Sequence, residues 1–351
     1  MVGGFGAREP PRPIGVATSR ASSCGNRLRM LRTTPDAISL DYGPASRGAK
    51  FLPNLSAVTA AGNYLWTASD EVRTIECLAP SASGYRLHRR YDLDKLFPGL
   101  PGARAGHEAD IEALDVVDGQ LWVCGSHSLT RRSQLKGKTN SVDARIRKRP
   151  SRRLLGVLAL TEDGGAVRGP GDALPFKGVG SLRAVLGSHR HITPFMDLPS
   201  KESGLDVEGI TVVRKRLHIG LRGPVVDNIA IIASMSLSAS FSVIVSGVFL
   251  HFVDLDGLGV RDLTRWRDGI LILAGPVSGA DGPFKLFHWH PKRTTKIQTA
   301  KPMSNFPNGP DHPEGICALR HGKREGLIVV YDTSNRKRVK DTHYIADWIP
   351  L

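Results

Sequence analysis

The chain has 351 residues, 40% of them hydrophobic, with 38 Gly and 23 Pro, which supplies a sizeable core and many turns. Its formal net charge of +15 is clustered: residues 131–153 carry ten Lys/Arg against one Asp, and residues 1–35 carry six Arg against one Glu. The remainder is close to neutral, which argues against a nucleic-acid-binding body, and the scattered Cys24, Cys77, Cys124 and Cys317 form no CxxC pair. That spacing excludes a zinc knuckle or disulfide framework and points to reduced thiols in a cytoplasmic setting.

In chain order, residues 1–35 are rich in Arg, Ser and Pro without a continuous apolar stretch. They read as a disordered basic tail, or as translation from an early start codon, rather than as a signal peptide. A single domain is expected over 36–351. "LSAVTAAGNYLWTASDE" (55–71) predicts two strands around a turn, and "DIEALDVVDGQLWVCGSHS" (110–128) predicts the same with a hairpin at Asp118-Gly119. Residues 131–153 follow as a basic insertion, expected to be solvated and flexible. Through its charge it is the one segment expected to attract an anionic partner such as a nucleic acid.

"DVEGITVVRKRLHIGLRGP" (206–224) repeats the two-strand unit. From Asn228 to Val253 there is no Asp, Glu, Lys or Arg, long enough to span a bilayer, but Ser234, Ser236, Ser238, Ser240 and Ser242 alternate with apolar residues. Period two predicts outer strands with one wet face, not a membrane span. "GVRDLTRWRDGILILAGP" (259–276) is a fourth copy, and "HPEGICALRHGKREGLIVVYD" (312–332) a fifth with a longer loop expected at its turn.

Equivalent positions fall at Ala57, Ala113, Gly209, Asp262 or Leu263, and Gly315, spaced near 56, 96, 53 and 53 residues. A β-rich unit recurring at that period predicts an all-β fold, an irregular β-propeller of five or six blades, with a long β-sandwich as the alternative. The long gap has room for the insertion and an extra partial blade.

In a propeller the first strand of each unit lines the channel, so Glu112, Glu208 and Glu314 are expected to converge. Carboxylates brought together need a cation, an arginine or raised pKa values. Asp110 and Glu112 share one strand face, so Asp110, Glu112, Glu208 and Glu314 are candidate ligands for Ca²⁺, Mg²⁺ or Mn²⁺. Arg222 and Arg261 are candidate balancing charges or clamps for a small anionic molecule, with Asp70 and Asp332 at matching strand ends. His127 is a candidate acid/base. It cannot form a dyad with its neighbour Ser126 or Ser128, because adjacent strand residues face opposite ways. Trp66 and Trp122 share one repeat position and are expected in the core.

On the stretches "LSAVT…LWTASDE", "EADIEAL…LWVCGSHSLTRR", "LPSKESGLDVEGI…IGLRGPV", "GVRDL…ILILAGP", "DGPFKLFHW" and "HPEGI…VVYD", the chain resembles a bacterial family named only as domain of unknown function 3616. The resemblance covers about residues 50–335 and implies a propeller without implying an activity. A looser likeness of "DVEGI" links it to phytase-like and strictosidine-synthase-like propellers, some of which are metal-dependent hydrolases. Two functions follow. One is a metal-assisted hydrolase of a phosphoester or lactone, with Glu112, Glu208 and Glu314 on the ion, and with His127 and Arg222 in the catalytic set. The other is a non-catalytic propeller that binds a ligand or protein, its glutamates and arginines a structural plug.

Overall fold

The computed structural model describes Met1 and residues 35–48, 50–131, 143–322, 324–333 and 337–351. Its strands form five blades among the described residues, antiparallel but for the third blade's outermost strand, Gln298–Thr299, which pairs parallel. The innermost strands are Leu55–Ala61, Ile111–Val117, Asp206–Val213, Gly259–Trp266 and Asp311–His321. Each packs against the next, and the fifth packs against the first, so the ring closes and the chain is a five-bladed β-propeller. Asp36–Asp41 completes it as the outermost strand of the fifth blade, antiparallel to His343–Pro350 and parallel to the outer edge of the first blade. One N-terminal strand thus covers two sheet edges that would otherwise be open to foreign pairing.

Alternating side chains bury both faces of each blade. Five apolar clusters result, each between two successive blades. Trp66 lies between the first and second blades and Trp122 between the second and third, as their shared repeat position predicts. The hairpin at Asp118-Gly119 is present, both residues at positive φ and Val117 paired with Gln120. The small residue after each glutamate has a steric cause. A Cβ on Gly209 would sit 2.8 Å from the backbone N of Leu263, and one on Gly315 2.9 Å from the carbonyl of Ser56. Inner strands approach too closely there for a larger side chain.

Four expectations change. No sixth or partial blade occurs among the described residues: the long gap holds a two-stranded ribbon (Leu129–Arg131 with Ile146–Lys148), the second blade's outer strands and a short helix, Leu182–Gly187. Residues 143–153 are not a loose insertion, because backbone pairing to 129–131 and the 3-10 turn Pro150–Arg152 hold them at the channel mouth; residues 2–34 of the tail and 132–142 lie outside the described residues. The serine alternation is not one strand. The strand ends at Met235, and Ser238 and Ser242 then close a looped excursion before Phe249–Asp254 resumes the sheet. The fifth repeat lengthens its strands rather than its loop, pairing out to His321 and Arg324. Among the described residues no helix is long and apolar enough to cross a membrane.

Candidate functional site

In all five inner strands the register slips at one equivalent place, between Leu55/Ala57, Ile111/Ala113, Val207/Gly209, Val260/Asp262 and Pro313/Gly315. The skipped residues are Ser56, Glu112, Glu208, Arg261 and Glu314. A bulge leaves its residue out of the ladder and re-aims its side chain. Here it turns four of the five into a single cavity of about 680 Å³ at one mouth of the channel. Ser56 is the silent position, its hydroxyl donating to the carbonyl of Ile111. The fourth blade's equivalent of Gly209 is therefore Asp262, which locks two blades by accepting from the backbone N–H groups of Leu263 and Ile316, each at 2.7 Å.

Arginine fills one side of the ring. Arg261 Nε lies 3.0 Å from Glu208 Oε2 and its Nη2 donates to Glu314. Arg222 directs Nη1 to Glu208 Oε1 at 2.7 Å, Nε to the carbonyl of Val277 at 3.0 Å and Nη2 to that of Ser278 at 2.9 Å. Both guanidiniums, expected to clamp a substrate, thus already have protein partners. The arrangement is a buried ion-pair cluster whose members depend on one another.

The other side is acidic. Asp110, Glu112, Asp206 and Asp70 line it with Glu108 and Asp332. Arg152 supplies the local cation, 2.7 Å from Asp110 Oδ2 and 2.9 Å from Glu108 Oε1. Among the described residues Glu112 has neither an ion-pair nor a hydrogen-bond partner. Burial, and then the charges of Asp110, Glu208, Asp70 and Asp206, push its carboxyl well above the ordinary range. Asp70 and Asp206 are raised well above it too, burial being the largest cause for each. Asp70 Oδ1 is buried without a hydrogen-bond partner among the described residues. Asp110 reaches only about 6, because Arg152 opposes the desolvation that raises it.

Of the residues expected at the site, Glu112, Glu208, Glu314, Asp110, Arg222, Arg261, Asp70 and Asp332 do line one cavity. His127 does not. It is buried behind the wall at positive φ, Nε2 donating to the carbonyl of Leu154 at 3.1 Å, and desolvation drives its pKa down to about 3. A ring so held stays neutral and cannot reach the cavity. Two participants escaped the sequence reading. Arg152 was hidden inside a charge run that reads as solvated. Asp206 was legible as the first residue of "DVE", the same D-x-E as "DIE" at 110–112, and the carboxylates of both motifs line the one cavity.

The four acids expected as ligands do not assemble into a metal cage. The only group of three or more His, Cys, Asp or Glu ligand atoms that converges among the described residues is Asp268, His288 and His290, on another part of the molecule. Glu208, Glu314 and Asp110 instead direct oxygens at arginines.

A family model described as "Protein of unknown function (DUF3616)" matches residues 54–347. No curated protein matches the chain. Among solved structures, Myxococcus xanthus glutaminyl cyclase is similar at 8% identity and TM-score 0.43, over 89% of this chain and 95% of that one. The exo-β-1,3-galactanase 1,3Gal43A of Clostridium thermocellum is similar at 10% identity and TM-score 0.48, over 90% of this chain and 62% of that one. A luciferin-regenerating enzyme is similar at 10% identity and TM-score 0.42, over 91% and 96%.

Proposed function

We propose that this chain, which belongs to the family of unknown function DUF3616, is a hydrolase of small anionic molecules that works by proton transfer between cavity carboxylates. The observation that carries the reading is Glu112: a carboxyl with no ion-pair or hydrogen-bond partner among the described residues, facing an open cavity, its pKa raised well above the ordinary range by burial and by four acidic neighbours. Asp110 immediately precedes the same strand, and Arg152 holds its pKa nearer the ordinary range, at about 6. Two acids whose environments separate their affinities for a proton are suited to opposite roles. Asp110 takes a proton from water as the water attacks the phosphoester or lactone centre, and Glu112 gives its proton to the departing oxygen. Arg147, Arg149 and Lys201 at the rim attract the anion.

The test is turnover of p-nitrophenyl phosphate and of a γ-lactone by the wild type, Glu112→Gln and Asp110→Asn. The reading expects a rate lost by about 100-fold or more in each variant, with binding of inorganic phosphate retained. Turnover unchanged in Glu112→Gln would refute it. Phosphate binding with no turnover of any substrate would instead support the non-catalytic ligand-binding propeller. Dialysis against a chelator separates a metal-assisted route: a rate lost, then restored by Ca²⁺, Mg²⁺ or Mn²⁺, would move the chemistry to an ion.

A further inference from the structure

The opposite ends of the inner strands carry a second constellation. The third and fourth blades make their first turns there, at Val213–Arg216 and Trp266–Gly269. His288 and His290 are two residues apart at the end of the strand Lys285–Trp289, so both project to one face. Asp268, from the neighbouring turn, reaches the same place. One ligand atom from each of the three lies within 4.8 Å of the others, and His290 Nδ1 is 3.5 Å from Asp268 Oδ2. The two imidazoles stand 4.5 Å apart at their centroids, and Trp266 packs edge-on against His288 at 5.0 Å.

Two features distinguish this from an incidental surface cluster. His288 Nε2 is buried without a hydrogen-bond partner among the described residues. Gly269 permits this placement, since a Cβ there would come within 2.5 Å of that nitrogen. Second, Asp268 and His290 form one wall of a separate cavity of about 280 Å³. Its other walls include Arg214 and Arg293, which have no carboxylate partner among the described residues, and Arg216, which donates to Ser234, Ser236 and the carbonyl of Gly247. Arg293 lies over the ring of Phe249 at 5.5 Å.

We propose that Asp268, His288 and His290 bind a divalent transition metal of the zinc class, leaving an open coordination position toward a cavity that accepts an oxyanion. Two imidazoles and one carboxylate suit zinc, and three protein ligands with one vacant position is the arrangement of a reactive rather than a structural ion. The arginines supply the charge that a metal-bound phosphate or carboxylate would match. The site is independent of the acid ring at the other mouth.

The experiment titrates metal-free full-length protein with ZnCl₂ by calorimetry and with CoCl₂ by absorption spectroscopy. Wild type and Glu112→Gln should bind one equivalent with the visible bands of low-coordinate cobalt. His290→Ala should weaken binding by about 100-fold or more, because groups that merely orient a ligand already cost about 10–100-fold. His290 is half exposed, so this variant should fold even where His288→Ala does not. Inorganic phosphate should then shift the cobalt spectrum, and Arg293→Ala should weaken that shift by about tenfold. Zinc binding that survives His290→Ala, no stoichiometric binding in wild type, or a cobalt spectrum indifferent to phosphate would each overturn the proposal.

Discussion

The two sides of the channel mouth meet the same problem, carboxylates crowded in a poorly solvated space, with opposite solutions. On the third to fifth blades Glu208 and Glu314 share Arg261, and Arg222 closes the network. On the first and second blades Asp70 and Glu112 face the cavity with no ion pair among the described residues, and Arg152 pairs directly with Asp110 and Glu108. The arginine side links three blades through one ion-pair network. The acidic side keeps groups whose charged forms are disfavoured, an arrangement that costs stability and is expected where proton chemistry is done.

The largest effect should come from the arginine side. Arg261→Met leaves Glu208 short of one partner and Glu314 without one, and should destabilise the protein by about 3–5 kcal/mol in urea unfolding. A smaller loss would mean that water reaches the cluster. Next, Arg152→Met removes the cation paired with Asp110 and Glu108. It should cost about 1.5–3 kcal/mol, the value of hydrogen bonds to charged groups, and raise the pKa of Asp110 above its present value of about 6, as followed by carboxyl infrared absorption.

Glu112→Gln should act in the other direction, stabilising the fold by roughly 0.5–2 kcal/mol at pH 8. A carboxyl whose folded pKa is raised binds its proton more tightly when folded. Wild-type stability is therefore relatively lost as pH rises from the ordinary carboxylate range, about 4, toward the folded value. The variant should match wild type near pH 4 and exceed it increasingly above. A melting-temperature difference that is flat in pH would show that Glu112 is not held protonated. Smallest of all, Arg149→Ala at the rim should change stability by less than about 0.5 kcal/mol. It should weaken phosphate binding several-fold at low salt and less at high salt, as screening requires.

Most of the fold was legible in advance because its signals are local. The Asp118-Gly119 turn, the apolar-rich runs such as "ITVV" and "LILAG", and the recurring E-G or E-A pair each depend on a few neighbouring residues. The serine-rich stretch after Met235 misled for a related reason: alternation shows that a strand is possible, but pairing decides it, and only the segment up to Met235 has a partner in the sheet.

The site was legible as a set of positions and not as a set of contacts. Repeat spacing by itself determined that Glu112, Glu208 and Glu314 share one ring, because equivalent residues in a closed propeller must. Tertiary structure alone decided that Arg261 is the fourth blade's ring residue, that Arg152 returns from a basic run to pair with Asp110, and that His127 turns behind the wall. These depend on register slips and on ion pairs such as Arg261–Glu314, 53 residues apart. Hydrophobic period and turn chemistry act along the chain, whereas charge pairing acts through space. Which carboxylate is left without a cation is settled only when the ring has closed.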